Sequence, residues 1–141
     1  MPILFVDKSA SVVAAVHAGW RGTFSQVAKA TLIEIEKSFG IVPSRICAAV
    51  GPSIGVCCYE IGEDVASLFM DKFSDCERYL FRKDDSKYVL DLKEANRHAL
   101  AREGVEDIEV IETCTKCSSE FYSYRRDGKR VGNHLNFIGL I

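Results

Sequence analysis

The sequence lacks three features that mark large classes of protein. It has no excess of positive charge, since 18 Lys and Arg face 20 Asp and Glu for a net charge of −2, and this argues against nucleic acid or an anionic membrane as a partner. It has no apolar run near the roughly 20 residues of a membrane-spanning helix. Its first residues have neither the positive segment nor the small-residue cleavage site of a signal peptide. We therefore predict a cytoplasmic location.

Internal repeats and low-complexity segments are also missing, while the overall composition is ordinary for a globular protein. The 141 residues are 48% hydrophobic and 27% charged, which is enough to build one domain with its own core. We predict a single domain over residues 1–141. The chain opens directly on strand-like residues with no preceding loop or cap, which is typical of a sequence cut from a longer one.

Strand-like and helix-like segments alternate along most of the chain, which predicts the α/β class with a mixed sheet. A helix after residue 22 is expected to be capped by Thr23 or Ser25, with Gln26 completing a capping box with Thr23, and to end at Gly40. Asp91 is expected to cap a helix over residues 92–102. The remaining segments are a helix at 63–73 with Val65, Leu68, Phe69 and Phe73 inward, a surface excursion at 71–87, and strands at 1–7, 11–16, 46–50, 88–90, 105–111 and 136–141.

The most specific stretch is residues 12–23, where a small, β-branched strand ends at His17 and a Gly-Trp-Arg-Gly string follows. Strand ends that lead into helices are where α/β proteins place their chemistry. His17 can be a metal ligand, a general base or a core histidine. Trp20 can stack on a flat ring or pack in the core, and Arg21 can pair with an anion or form a surface ion pair.

Other candidate residues are weaker when taken alone. The glycine-containing loop at 51–55 resembles an anion-binding loop, but it lacks the lysine and spacing of a P-loop, so a plain turn is favoured. Arg125 and Arg126 follow an aromatic run and can bind phosphate or a base, although paired arginines are more often solvated. His98 is expected on the surface of its helix, and His134 has no assigned role.

Six cysteines in a chain without export signals favour free or structural thiols. Cys57 and Cys58 are adjacent, which is not the usual zinc spacing, and no histidine close in sequence can activate them as nucleophiles. Cys114 and Cys117 form a C-x-x-C motif, which is typical of half a zinc site or of a redox pair. A thiol-redox protein that uses these two cysteines therefore stays an alternative.

Several stretches form a specific set when they are taken in order. They are residues 16–23, the loop 51–55 with the Cys-Cys-Tyr-Glu-Ile-Gly string 57–62, residues 91–92 and 95–96, residues 114–115, and the Phe-Tyr-Ser-Tyr-Arg-Arg-Asp-Gly string 121–128. They cover nearly the whole chain, and the His-Ala-Gly-Trp-Arg-Gly string is the most specific of them. Together they resemble the YfiH-like, laccase-domain family, which includes polyphenol oxidoreductases and purine nucleoside phosphorylases.

The resemblance implies a layered α-β-β-α fold and a zinc pocket of two histidines and one cysteine. His17 matches the second histidine and becomes the implied metal ligand and catalytic residue. The first histidine and the cysteine are implied to precede this chain, so its N-terminal region is expected to be incomplete. One histidine alone does not hold a zinc ion.

The resemblance also implies phosphorolysis of adenosine, inosine and methylthioadenosine, with adenosine deamination as a related activity. Our own hypothesis adds that Trp20 stacks on the base and that Arg21 or Arg125 receives phosphate. The alternatives are a copper-dependent, laccase-like polyphenol oxidoreductase and an inactive nucleoside-binding or interaction fragment. Three histidines are too few for a multicopper centre, which favours a purine nucleoside and phosphate as partners; self-association into a homo-oligomer is left open.

Overall fold

The computed structural model describes residues 1–141, with the side chain of Arg130 left aside. The strands are β1 (Pro2–Asp7), β2 (Val13–His17), β3 (Ile46–Val50), β4 (Glu60–Gly62), β5 (Leu80–Arg82), β6 (Lys87–Leu90) and β7 (Asp107–Val110). The α-helices are α1 (Trp20–Phe24), α2 (Val27–Phe39), α3 (Glu63–Lys72), α4 (Leu92–Arg102) and the short α5 (Tyr124–Asp127).

The larger sheet has four strands in the order β2-β1-β3-β7. Strands β1 and β2 form an antiparallel hairpin, β1 also pairs antiparallel with β3, and β3 pairs parallel with β7. The carboxylate of Asp7 closes the hairpin turn by accepting hydrogen bonds from the backbone N–H groups of Ser9, Ser11 and Val12. The predicted α/β class with a mixed sheet is confirmed.

One face of this sheet carries the core. Ile3 and Phe5 of β1 are completely buried, and their side chains join one apolar cluster with Leu32 of α2 and Leu100 of α4. Successive side chains of a strand point to opposite faces, and directly paired residues share a face. Since Pro2 pairs with His17, His17 lies on the opposite face, away from these helices. Helices α2 and α4 thus cover one face of the four-stranded sheet.

A second, three-stranded sheet has the order β4-β6-β5 and corrects the expectation for residues 71–87. Tyr79 and Leu80 are buried, and β5 pairs antiparallel with β6, so this segment contributes to the core instead of forming a surface excursion. Within α3, Ala66 and Phe69 are the buried residues, whereas Leu68 is 43% exposed. The predicted inward position of Leu68 is therefore wrong.

The capping box predicted for Thr23 and Gln26 is also wrong. Gln26 has a left-handed backbone conformation, with φ of 57°, and its side chain makes no capping hydrogen bond. It separates α1 from α2, while the hydroxyl of Thr23 is held by the buried Asn96. The other helix signals are confirmed, because Asp91 accepts hydrogen bonds from the N–H groups of Lys93 and Glu94, and α2 ends at a left-handed Gly40.

The last segment of the chain does not form the predicted strand. Residues 131–141 have no regular secondary structure, and Leu135 and Phe137 are 86% and 80% exposed. These apolar residues therefore do not belong to a strand that pairs with the edge of a sheet. No helix in the described part of the chain has the length and apolar character that crossing a bilayer requires.

Candidate functional site

A cleft of about 660 Å³ opens where β1 begins and β2 ends. This volume lies within the range of small-molecule binding pockets, which is roughly 300–1,000 Å³. Its walls come from four parts of the chain that are distant in sequence. They include Met1, Pro2, His17, Gly19, Pro52, Ser53, Ile54, Tyr59, Leu92, Thr115, residues 121–125 and residues 131–136.

His17 lies at the rim of this cleft, at the end of β2. The nearby amino group of Met1 and partial burial both lower the pKa of its imidazole, which favours the neutral form that can accept a proton or bind a metal. The glycines beside it have a steric role. A Cβ on Gly22 would approach the carbonyl oxygen of His17 to 2.8 Å, so only glycine lets the first turn of α1 pack this closely on the strand end.

Arg125 brings positive charge to the cleft and is held by two contacts. Its guanidinium lies 5.1 Å from the ring centroid of Tyr59 and donates a 3.1 Å hydrogen bond to the carbonyl of Glu60. Burial raises the pKa of Tyr59, with the charges of Arg125 and Arg21 acting in the opposite direction. Among the described lining residues, Arg125 has the only guanidinium or ammonium side chain.

The side chains of Trp20 and Arg21 lie outside the lining of the cleft. The Arg21 guanidinium lies 4.3 Å from the centroid of the Trp20 ring, and Trp20 packs against the apolar core. Neither residue is among the described residues that line the cleft. Their roles in base stacking and phosphate binding stay predictions.

An aromatic wall, formed by Phe121, Tyr122 and His134, also lines the cleft, and the sequence did not assign it to a site. The imidazole of His134 lies 5.4 Å from the Phe121 ring and 5.5 Å from the Tyr122 ring. Its Nε2 accepts a 3.0 Å hydrogen bond from the backbone N–H of Tyr122. The aromatic run at residues 121–124 was the available signal, but the contact with His134 depends on the tertiary fold. His98, expected on the surface, instead bonds to Asp75 at 2.6 Å and is mostly buried.

Four cysteines form a second group beside the cleft, which we call the cysteine cluster: Cys57, Cys58, Cys114 and Cys117. Their sulfur atoms all lie within 4.8 Å of one another, and all four are free thiols. Burial raises the pKa of Cys57 to about 12. Burial also acts to raise the pKa of Cys114, but N–H groups of Gly55, Cys117 and Lys116 outweigh it and lower that pKa to about 6. Sequence spacing did not reveal this cluster.

Arg126 connects the cysteine cluster to the aromatic wall. Its guanidinium donates to the backbone carbonyls of Thr115, Lys116, Ser118 and Phe121, the shortest of these bonds being 2.6 Å to Ser118. It also forms an ion pair with Asp127 at 2.8 Å. Arg126 is therefore an anchor of the main chain, whereas Arg125 keeps most of its donors available to the cleft.

The sequence of residues 1–141 matches the family model described as multi-copper polyphenol oxidoreductase laccase. The chain belongs to this laccase-domain family. The identification agrees with the order of the motifs and with the cleft that they surround.

Relatives within the family carry names from nucleoside chemistry. The chain is 39% identical over 142 residues to a purine nucleoside phosphorylase of Clostridium acetobutylicum, covering 98% of this chain and 58% of that protein. It is 38% identical to an adenosine deaminase from an unknown prokaryotic organism, covering 99% of this chain and 54% of that one.

The solved structures of the family agree with the fold. The crystal structure of the hypothetical protein YfiH from Bacillus licheniformis superposes with a TM-score of 0.85 at 34% identity, covering 91% of this chain and 50% of that chain. The chain thus spans about half the length of the relatives that it matches.

The zinc pocket implied by the family resemblance does not fit the residues of this chain. Zinc takes three or four protein ligands, but His17 has no such set around it. Within the described residues, the one group of three or more close histidine, cysteine or carboxylate ligands is the cysteine cluster, and His17 is not part of it. His17 therefore offers one donor, and no metal-dependent step follows from these residues alone.

Proposed function

We propose that this chain contributes the purine nucleoside and phosphate binding surface of a purine nucleoside phosphorylase, with adenosine deamination as a related activity. The observation that carries the proposal is the cleft, which places an aromatic wall, the imidazole of His17 and the guanidinium of Arg125 around a space in the size range of small-molecule pockets. The names of the relatives support the same chemistry.

Arg125 is the proposed phosphate ligand. Phosphorolysis forms a bond between a phosphate oxygen and C1′ of the ribose while the bond from C1′ to the purine nitrogen breaks. A guanidinium can bind phosphate through two parallel hydrogen bonds and offset its charge as it approaches the sugar. One Nη1 N–H of Arg125 donates to the carbonyl of Glu60. This bond fixes the position of the guanidinium and leaves its other N–H groups for the anion. Arg21 stays the second proposed phosphate ligand.

The purine base is proposed to bind by stacking. Tyr122 belongs to the aromatic wall and is 56% exposed, so its ring is accessible to a flat ligand. Trp20 remains the other proposed stacking residue, although its ring already contacts Arg21. His17 is the proposed catalytic residue and metal ligand, and its ligand set would require donors from outside residues 1–141 or from a second copy of the chain.

Two observations bear on the alternatives. The description of the family model favours copper-dependent oxidation of phenols as a second candidate function, yet the three histidines of this chain do not supply a multicopper centre. An inactive nucleoside-binding fragment would retain the cleft without turnover. A cytoplasmic location is also proposed, and the six free thiols of the chain support it because a reducing compartment keeps cysteines in this form.

The experiment compares this chain with a longer form, in which an upstream segment is fused to the chain so that the product has the length of its relatives. Each is incubated with inosine or adenosine, phosphate and Zn²⁺, and purine release is measured by chromatography. We expect release by the longer form, dependent on phosphate and lost in His17→Ala. Absence of release from the longer form, or oxidation of phenols with Cu²⁺ and oxygen in its place, would contradict the proposal.

A further inference from the structure

The cysteine cluster is formed by two turns that the fold holds side by side. Cys57 and Cys58 lie in the turn after β3, and Cys114 and Cys117 lie in the turn after β7. A parallel bridge joins Ser53 to Cys114, with a 2.9 Å hydrogen bond from the N–H of Thr115 to the carbonyl of Ser53. Because β3 and β7 are parallel neighbours, both turns leave the same edge of the sheet.

Three of the sulfur–sulfur distances match one face of a small tetrahedron, and the Sγ of Cys114 lies within 4.8 Å of the other three sulfurs. Cys57 and Cys58 are 3.7 Å apart, Cys57 and Cys117 are 3.8 Å apart, and Cys58 and Cys117 are 3.4 Å apart. Four sulfurs placed at about 2.3 Å from one zinc ion in a tetrahedron would be about 3.8 Å from one another. These separations are too long for disulfide bonds, whose S–S length is about 2.05 Å.

The surrounding backbone is arranged toward the sulfurs. The N–H of Gly55 donates to the Sγ of Cys114 at 3.2 Å, and N–H bonds of this kind orient a ligand and stabilise its charge. A Cβ on Gly55 would lie 3.1 Å from the Cβ of Cys114 and 3.4 Å from the Sγ of Cys57. The glycine therefore lets the first turn approach the second closely enough to bring all four sulfurs together.

We propose that Cys57, Cys58, Cys114 and Cys117 bind a single Zn²⁺ ion in a tetrahedral Cys₄ site that is separate from the cleft and from His17. Four thiolate ligands with no open position are typical of structural zinc. Binding releases the thiol protons and joins the two turns. Through the bonds from Arg126 to the carbonyls of the 115–118 turn and to Phe121, the ion stabilises one wall of the cleft.

The chain contains a matched control, because two further cysteines lie outside the cluster. The test measures zinc by plasma mass spectrometry in the protein purified under reducing conditions without added chelator. We expect about one zinc per chain, unchanged in Cys47→Ser and Cys76→Ser, and lost in Cys58→Ser/Cys117→Ser. Zinc retained in the double variant, zinc lost in either control variant, or iron in place of zinc would overturn the proposal.

Two measurements on the unaltered chain keep the test valid if a cysteine variant fails to fold. Replacement of zinc by Co²⁺ should give the visible absorption of tetrahedral cobalt with thiolate charge-transfer bands, and an octahedral spectrum would contradict the site. Alkylation mapped by mass spectrometry should modify the four cluster cysteines only after chelation. Modification without chelation, or disulfides among them, would also contradict it. None of these readouts uses nucleoside turnover, so failure of the proposed function leaves them unaffected.

Discussion

Arg126 and Ser118 are joined by a 2.6 Å hydrogen bond from the Arg126 Nη1 to the Ser118 carbonyl. The same guanidinium reaches three more carbonyls between Thr115 and Phe121. A single side chain thus organises the second cysteine turn and the start of the aromatic wall. This makes Arg126 a positioning residue, although it stands next to the proposed phosphate ligand in the sequence.

Replacing Arg126 by Lys should loosen this segment. The compact ammonium of lysine cannot reproduce the planar fork that contacts four carbonyls. We expect a lower melting temperature and faster amide hydrogen exchange over residues 114–121. The control is Arg97→Lys, which alters an exposed pair with Glu94 on α4 and should leave exchange in that segment unchanged. Equal exchange in both variants would contradict the anchoring role.

Replacing Arg125 by Ala should act on phosphate and not on folding. Loss of a charged hydrogen-bond donor should raise the KM for phosphate on the order of tenfold in the longer form, with a smaller effect on the KM for nucleoside. Initial rates measured over a range of phosphate concentrations will check this result. Arg97→Ala is the matched control for removal of one guanidinium, and an equal rise in the KM for phosphate there would exclude a specific role.

Asn96 is buried, and its amide donates 2.8 Å hydrogen bonds to the Thr23 hydroxyl and to the Leu92 carbonyl. Asn96→Ala removes both bonds and leaves a small cavity between α1 and α4. We expect the free energy of unfolding to fall by about 2–4 kcal/mol, as measured by urea denaturation. The exposed Asn136→Ala should change it by less than about 0.5 kcal/mol, and similar values for both variants would refute the packing argument.

Gly22 allows α1 to pack against the end of β2, so its replacement by Ala should be costly. The new Cβ would meet the His17 carbonyl oxygen at 2.8 Å, and backbone cannot move away as a flexible side chain can. We expect a loss of about 1–3 kcal/mol in unfolding free energy. A Cβ on Gly139 meets no atom within 4 Å, so Gly139→Ala should be neutral. A neutral Gly22→Ala would show that α1 can shift without cost.

The turn of the β1–β2 hairpin should make the protein sensitive to acid. A hydrogen bond from the Ser9 hydroxyl, followed by the backbone N–H of Val12, lowers the pKa of Asp7 far below its usual range. The folded chain therefore binds fewer protons here than the unfolded chain, in which an Asp pKa is about 3.9. The stabilisation is complete above about pH 5 and is lost as the pH falls through the unfolded pKa toward the lower folded pKa.

Urea midpoints measured between neutral and acidic pH will test this dependence on Asp7. Asp7→Asn should be less stable at neutral pH and should lose less stability on acidification than the unaltered chain. Asp71→Asn, at an exposed position of α3, is the control and should keep the acid dependence. Parallel curves for the unaltered chain and Asp7→Asn would contradict the assignment.

The sequence predicted those helix ends that depend only on residues a few positions away in the chain. Asp91 caps α4 as expected because its carboxylate bonds to N–H groups only two and three positions away. The capping box at Thr23 and Gln26 failed because the Thr23 hydroxyl is bound by Asn96, 73 positions along the chain. The apolar run at 136–141 had strand-like residues, but a strand also needs a neighbouring edge with which to pair.

The candidate site was predictable only in part, because several of its contacts join residues that are far apart in the chain. The motif around His17 belongs to the sequence that matches the family, and His17 lies at the rim of the cleft where β2 ends, while its catalytic and metal-binding roles stay predictions. The pairing of Tyr59 with Arg125 and of Phe121 with His134 arises from tertiary contacts across many residues. The cysteine cluster was missed because adjacent cysteines do not resemble a zinc motif until a second turn is placed against them.

The position of the cysteine cluster in the chain also affects the unfolded state. Cys58 and Cys117 are 59 positions apart, and α3, α4 and strands β4 to β7 lie between them. A metal that joins these two points turns this stretch into a closed loop. If the ion also stays bound to the denatured chain, it reduces the conformations open to that chain, as a disulfide does. Part of its stabilising effect would then appear as a more compact denatured ensemble, with a smaller m-value in urea.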